Sequence, residues 1–216
     1  MSAVHAETTA PAATAPAQPA ATQAEAPPGD PAVLGLPAFA VGSIALGLAL
    51  VGYVSPAAQG SALPIIFAMT GLGLLLSTVW AASLGQTMVA TIFGLFAGFW
   101  LSYTVLIASL THGWFPVPPA DVQHTVALFL ISWAVIMAAL ALATVRLPVA
   151  FTAVVALVVL ALVLLIFGTL NTSETLTKAA GWVTLVFAAL GVYLFLSAAS
   201  AAGGGKSYPL GPPLVK

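Results

Sequence analysis

The chain has 216 residues, of which 61% are hydrophobic and 4% charged, with a mean hydropathy of +1.14 and a net charge of -1. Soluble domains carry about 25% charged residues, whereas positions 32–202 here hold charged side chains only at Asp121, Arg146, Glu174 and Lys178. These values exclude a soluble globular domain and indicate an integral membrane protein. The near-zero net charge gives no indication of a nucleic-acid partner, and the lack of cysteine excludes disulfides and thiolate metal sites.

The N-terminal segment, residues 1–29, differs from the rest because it is rich in Ala, Pro, Thr and Gln and poor in large apolar side chains. Such a segment buries too little apolar surface to offset its chain entropy, so we expect it to be disordered. It has neither the basic start nor the apolar run of a signal peptide. The remainder divides into a transmembrane domain, residues 30–202, and a C-terminal tail, residues 203–216, which its glycines and prolines predict to be extended or loosely docked.

Six apolar runs follow one another along the chain, each near the length of about 20 residues that a helix needs to cross the hydrocarbon core. They are residues 33–54, 62–83, 87–110, 122–144, 147–170 and 178–200. Backbone polar groups in lipid must be satisfied within each segment, and the runs do not alternate with period two, which favours helices over a β-barrel. The sequence therefore predicts an all-α polytopic membrane protein with six transmembrane helices.

An even number of spans places both termini on the same side of the membrane. Cytoplasmic termini leave Arg146, Lys206 and Lys216 inside and only Lys178 outside, which is the arrangement that the positive-inside rule favours. We therefore expect a multi-pass protein of the cytoplasmic (inner) membrane with both termini in the cytoplasm.

Few side chains in this sequence could carry out chemistry. His112 and His124 lie near Asp121 in the third connection, but a metal site needs a shaped shell of supporting groups. A short proline-rich loop therefore favours a solvated connection over a metal site or a histidine pH sensor. The motifs of serine hydrolases, zinc proteases and phosphate-binding loops are missing from the sequence. We expect no enzyme, no catalytic residue, no cofactor and no metal.

The predicted spans also carry no carboxylate, Lys, Arg or His convincingly at membrane depth. Ion pumps and proton-coupled carriers place ionisable groups there, since they must bind and release charge in a low dielectric. The sequence therefore favours a passive route for a small solute, or a symport in which the solute itself carries the proton.

The third span contains two patterns with more than one interpretation. Gly94-x-x-x-Gly98 matches the small-xxx-small motif of membrane helices, which favours packing within the chain and leaves a subunit contact as the alternative. Phe93, Phe96, Trp100 and Tyr103 recur with helical spacing on one face. This stripe is either ordinary packing or part of an apolar constriction that lines a pore.

Four short motifs occur in order along the chain. Positions 30–36 read D-P-A-V-L-G-L, 93–103 read F-G-L-F-A-G-F-W-L-S-Y, 180–182 read A-G-W and 208–211 read Y-P-L-G. Together they resemble the acetate uptake transporter family, which includes the bacterial succinate–acetate permeases and their fungal acetate/ammonia relatives, and whose members carry the signature N-P-A-P-L-G-L and an F-G…F-W block. The signature motif is expected at the pore mouth, and its positions there are Asp30, Pro31, Leu34, Gly35 and Leu36.

This resemblance implies a protomer with the fold of acetamidase/urea channels, assembled as a homo-hexamer in which each subunit has its own pore. It also implies transport of acetate and similar short monocarboxylates. The family's pore narrows at an apolar ring of Phe, Tyr and Leu, and these positions correspond to Phe39, Phe96 and Val158. Phe93, Trp100 and Tyr103 are then further candidates for the pore lining.

The sequence departs from the family pattern at several positions. Asp30 replaces the signature Asn, and it remains a good helix N-cap before Pro31, although a carboxylate at a pore mouth repels an anion. Leu74 and Ala81 stand roughly where many relatives carry Gln and Glu. These changes keep two alternatives open: a channel for neutral solutes such as urea, short amides or ammonia, and a membrane scaffold that transports nothing.

Overall fold

The computed structural model describes residues 29–215, and within them lie six helices long and apolar enough to cross a membrane. These helices are α1 (Ala32–Val51), α2 (Gly60–Ser83), α3 (Thr87–His112), α4 (Val122–Ala143), α5 (Val149–Leu170) and α6 (Glu174–Ala202). The predicted all-α architecture with six transmembrane helices is confirmed. The predicted disordered segment, residues 1–29, lies outside the described residues except for its last residue.

Local backbone chemistry sets the helix ends. Gly52 takes up a left-handed conformation with φ 94° and ends α1 three residues before the predicted limit. Gly85, with φ 71°, forms the tight turn between α2 and α3, and this turn lies where the sequence predicted the boundary between the second and third spans. Glycine adopts such angles without the steric cost that a side chain imposes.

The sixth helix starts four residues before the predicted limit of 178. The Ser173 side chain caps it by accepting a hydrogen bond from the Leu176 N–H at 3.4 Å. Glu174 and Lys178 then form an i,i+4 ion pair at 2.7 Å on the first turn. Glu174 therefore belongs to an exposed helical turn, whereas the sequence predicted a connection up to residue 177.

The helices pack as neighbours in the order α3, α2, α1, α6, α5 and α4. Backbone contact between α3 and α4 is sparse, and aromatic side chains cover this gap, with Phe99 of α3 lying 5.7 Å from both Phe129 and Trp133 of α4 between ring centroids. Large apolar side chains on α2 and α4, such as Leu76 and Leu128, remain exposed on the outside of the protomer. A lipid-embedded surface has this apolar character.

Glycines bring α1 and α6 closest together. A Cβ on Gly181 would lie 2.8 Å from the Cβ of Leu50 and 2.9 Å from the backbone nitrogen of Val51. On the other side, a Cβ on Gly47 would lie 2.8 Å from the Leu185 side chain. At Gly181 the two helices therefore pack backbone to backbone, and at Gly47 the Leu185 side chain fills the space that the glycine leaves.

The glycines of the G-x-x-x-G motif serve packing within the chain, as the sequence favoured. The nearest group to a Cβ on Gly94 would be Thr78 of α2 at 3.2 Å, and the nearest to one on Gly98 would be Trp133 of α4 at 3.2 Å. The motif therefore fits α3 between two neighbouring helices of the same protomer.

The C-terminal segment is extended and is attached to the helical bundle by specific hydrogen bonds. The Tyr193 hydroxyl donates to the Pro209 carbonyl at 2.8 Å, and the Tyr208 N–H donates to Ser197 Oγ at 2.9 Å. The Ala150 N–H donates to the Leu210 carbonyl at 3.1 Å. These contacts hold the segment across the end of the bundle where α5 begins and α6 ends.

Candidate transport path

A cavity of about 300 Å³ lies between the N-terminal halves of α1, α3 and α5 and the C-terminal half of α6. Its walls are almost entirely apolar, and Asp30 is the charged residue among those that line it. The wall side chains include Leu36, Phe39, Phe93, Phe96, Phe151 and Leu194. The volume is ample for a small organic solute, which would find apolar surface on nearly every side.

A second cavity of about 20 Å³ lies deeper in the bundle, toward the C-terminal end of α1. Its walls again come from α1, α3, α5 and α6, so the same four helices surround both spaces. The lining includes Val158, Thr184 and Phe187. This volume is close to the room that one water molecule needs.

Phe39 and Phe96 line both cavities and therefore form the partition between them. Their ring centroids are 4.9 Å apart in an edge-to-face arrangement, and both side chains are buried. Phe187 stacks on Phe39 from α6 at 5.7 Å. In this conformation apolar aromatic rings separate the two spaces.

Neighbouring residues hold these rings in place. A Cβ on Gly191 would lie 3.2 Å from the Phe39 ring, and one on Gly35 would overlap the Phe93 ring. Both glycines therefore provide the space that an aromatic ring occupies. The sequence singled out Gly35 as part of the signature motif, and this packing gives it a physical role.

The structure brings most of the sequence-derived candidates together, with one exception. Phe93 lines the larger cavity, Val158 and Trp100 line the smaller one, and Phe96 lines both. Tyr103 lines neither cavity and packs instead on Phe99 and Phe129, where α3 meets α4. Its place on the aromatic stripe is thus accounted for by packing.

The signature residues form the start of α1 at the rim of the larger cavity. Asp30 Oδ1 accepts a hydrogen bond from the Ala32 N–H at 2.9 Å, which is the capping contact expected from the sequence. Pro31 is buried, Leu36 lines the cavity, and Leu34 does not.

Many of the residues that line the two cavities were not predicted from the sequence. Phe187, Thr184 and Gly191 lie on one face of α6, and Phe151 lies on α5. The 184, 187, 191 spacing was visible as a helical face. In a helix that is apolar on every side, however, this spacing does not reveal which face lines a cavity.

The histidines near the third connection stand apart from the path. His112 ends α3 on the exposed surface and stacks on Trp114 at 5.6 Å. Within residues 29–215, no three His, Cys, Asp or Glu side chains come together in a way that could hold a metal ion.

This chain is similar to known proteins in both sequence and fold. Residues 13–213 match the model of the GPR1/FUN34/yaaH family. The fold is similar to that of the bacterial acetate channel SatP, with a TM-score of 0.75 and 23% identity over 85% of this chain and 99% of that chain.

Two curated yeast proteins are similar in sequence. The meiotically up-regulated gene 86 protein of Schizosaccharomyces pombe is 35% identical over 57% of this chain, and the accumulation of dyads protein 2 of Saccharomyces cerevisiae is 28% identical over 76% of it. The aligned parts span 41% and 59% of those two relatives. The match across residues 13–213, together with six membrane-spanning helices, shows that this chain is a multi-pass membrane protein of the GPR1/FUN34/yaaH family.

Proposed function

We propose that this protein is a channel-like transporter of acetate and similar short monocarboxylates, and that these cross the aromatic barrier as the protonated acid. The observation that carries the proposal is the pair of cavities that meet at Phe39 and Phe96, with apolar side chains on nearly all sides. The fold similarity to a bacterial acetate channel supports the choice of substrate class.

The charge state of the solute follows from desolvation. An anion that passes between Phe39 and Phe96 loses its hydration, and among residues 29–215 no cationic side chain lines either cavity to replace that hydration. Such a transfer costs several kcal/mol or more, on the order of that for other buried, unpaired charges. Asp30 at the rim adds repulsion of an anion. The neutral acid avoids both costs, so net transport amounts to symport of a proton with the carboxylate.

Membrane placement and assembly belong to the same proposal. We propose that the protein lies in the cytoplasmic (inner) membrane with both termini in the cytoplasm. Arg146, Lys206 and Lys216 then face the cytoplasm, as the positive-inside rule favours. The larger cavity, with Asp30 at its rim, then opens inward.

We also propose a homo-hexamer in which each protomer has its own path. The exposed apolar faces of α2 and α4 leave surface for both lipid and neighbouring copies.

Uptake of labelled solutes into proteoliposomes tests the substrate class. We expect labelled acetate to enter faster than labelled urea at equal concentration and about pH 5.5, where a larger share of acetate is protonated than at neutral pH. The initial rate into protein-free liposomes of the same lipid is subtracted, because the neutral acid also crosses bilayers unaided.

Two results of this experiment would contradict the proposal. Urea uptake without acetate uptake would assign the protein to the channels for neutral solutes. A lack of uptake for both solutes, with the protein correctly folded, would favour a membrane scaffold.

A further inference from the structure

Trp100 presents a buried hydrogen-bond donor that nothing in the described chain satisfies. Its side chain is 2% exposed, and its indole N–H has no hydrogen-bond partner. The N–H of a buried tryptophan usually finds a partner, because leaving it unpaired costs free energy. A group from outside the described chain would therefore be favoured at this position.

The smaller cavity lies where such a group could bind. Trp100 and Thr184 both line it, and they are the two lining residues whose side chains carry polar atoms. Thr184 is 1% exposed, and its hydroxyl donates to the Ala180 carbonyl at 2.8 Å. The hydroxyl proton is thus already used, and the lone pairs of Thr184 Oγ1 remain available as acceptors.

We propose that Trp100 and Thr184 form a polar subsite, on the far side of Phe39 and Phe96 from the larger cavity, that binds the carboxyl group of the permeating acid. This inference rests on the proposed function and names two residues that recognise the substrate. The cavity of about 20 Å³ has room for one oxygen atom of the size of water. A carboxyl oxygen occupies it during transport, and a water molecule occupies it between transport events.

The two groups match the neutral acid better than its anion. The hydroxyl oxygen of a protonated carboxyl accepts a hydrogen bond from the indole N–H and donates its own proton to Thr184 Oγ1, so one oxygen serves both groups. A carboxylate has acceptor oxygens only and meets the Thr184 lone pairs unfavourably. The subsite therefore favours the protonated acid over the anion, as the aromatic barrier does.

Kinetics of conservative variants test the subsite. Trp100→Phe keeps an aromatic ring and removes the N–H, and Thr184→Val keeps the shape and removes the hydroxyl. We expect each to raise the KM for acetate uptake by about fivefold to tenfold, the usual effect of losing one buried hydrogen bond. The double variant should lose less than the product of the two single effects, because the pair binds one carboxyl group.

Trp133→Phe is the matched control. Trp133 packs on Phe99 at the contact between α3 and α4 and lines neither cavity. We expect its KM to stay within twofold of the parent protein. KM values for Trp100→Phe and Thr184→Val that equal that of Trp133→Phe would overturn the subsite.

A second measurement detects the contact in the intact protein. The chain has 5 tryptophans, so the five indole N–H signals of ¹⁵N-labelled protein in nanodiscs can be assigned by single Trp→Phe variants. Acetate added at about pH 5.5, where part of it is protonated, should shift the Trp100 signal and leave the Trp133 signal in place. An unmoved Trp100 signal in a protein that transports acetate would overturn the subsite alone, whereas a parent protein without acetate uptake would overturn the proposed function.

Discussion

Phe96→Ala is expected to let larger carboxylic acids through the protein. The ring of Phe96 forms half of the partition between the two cavities and lies 4.9 Å from that of Phe39. Its removal joins the cavities and takes away the steric limit on chain length. Because one methylene changes discrimination in an apolar pocket by about tenfold or more, we expect butyrate uptake relative to acetate to rise by about tenfold or more. Initial rates of both labelled acids in proteoliposomes measure this ratio.

The control for this variant separates the path from general loosening of α3. Phe129→Ala removes a ring of similar size that packs on Phe99 and Tyr103 but lines neither cavity. Truncation of a buried Phe to Ala costs about 3–5 kcal/mol, so Phe96→Leu serves as a milder variant if Phe96→Ala folds poorly. An unchanged butyrate-to-acetate ratio in folded Phe96→Ala and Phe96→Leu would remove Phe96 from the barrier.

Gly181→Val is expected to destabilise the protein severely. The added Cβ would lie 2.9 Å from the backbone nitrogen of Val51 and 2.8 Å from the Cβ of Leu50. Backbone atoms cannot turn aside as a flexible side chain does, so α1 and α6 must separate. Overpacking of this kind costs about 1–3 kcal/mol or more, and we expect a Tm lower by several degrees. Size-exclusion chromatography of heated, detergent-solubilised protein measures the Tm.

Gly60→Val provides the matched comparison for stability. No atom of the described residues lies within 4 Å of a Cβ placed on Gly60, so the same substitution meets open space there. We expect its Tm to stay close to that of the parent protein. Equal Tm values for the two variants would contradict close packing of α1 on α6 at Gly181.

The sequence predicted the helices well because the membrane imposes a simple rule. A span must be long and apolar, and that requirement located all six helices and the turn at Gly85. The predicted and observed helix ends differ most at the end of α1 and the start of α6, where local interactions rather than hydrophobicity set the boundary. Gly52 ends α1 through its backbone conformation, and the Glu174–Lys178 pair makes a charged turn helical. Neither effect appears in a count of apolar residues.

The candidate path was harder to predict, because every helix here is apolar on most of its surface. Aromatic spacing on α3 pointed to Phe93, Phe96 and Trp100, and the family resemblance added Phe39 and Val158. The same spacing also included Tyr103, which packs against α4 instead. Phe187 was missed because nothing in an all-apolar helix distinguishes an inward face from one that meets lipid. Only the packing of α6 against α1 and α5 reveals that face.

The pH dependence of acetate uptake shows whether the apolar barrier at Phe39 and Phe96 passes the protonated acid. Initial rates are measured at fixed total acetate and equal pH on both sides of the liposome, with the protein-free rate subtracted. With a carboxyl pKa of about 4.3, the protonated fraction falls by about 100-fold between about pH 5.5 and about pH 7.5. We predict that protein-dependent uptake falls steeply with that fraction. Uptake that is equal at the two pH values would show that the anion crosses the barrier, and would contradict passage of the protonated acid.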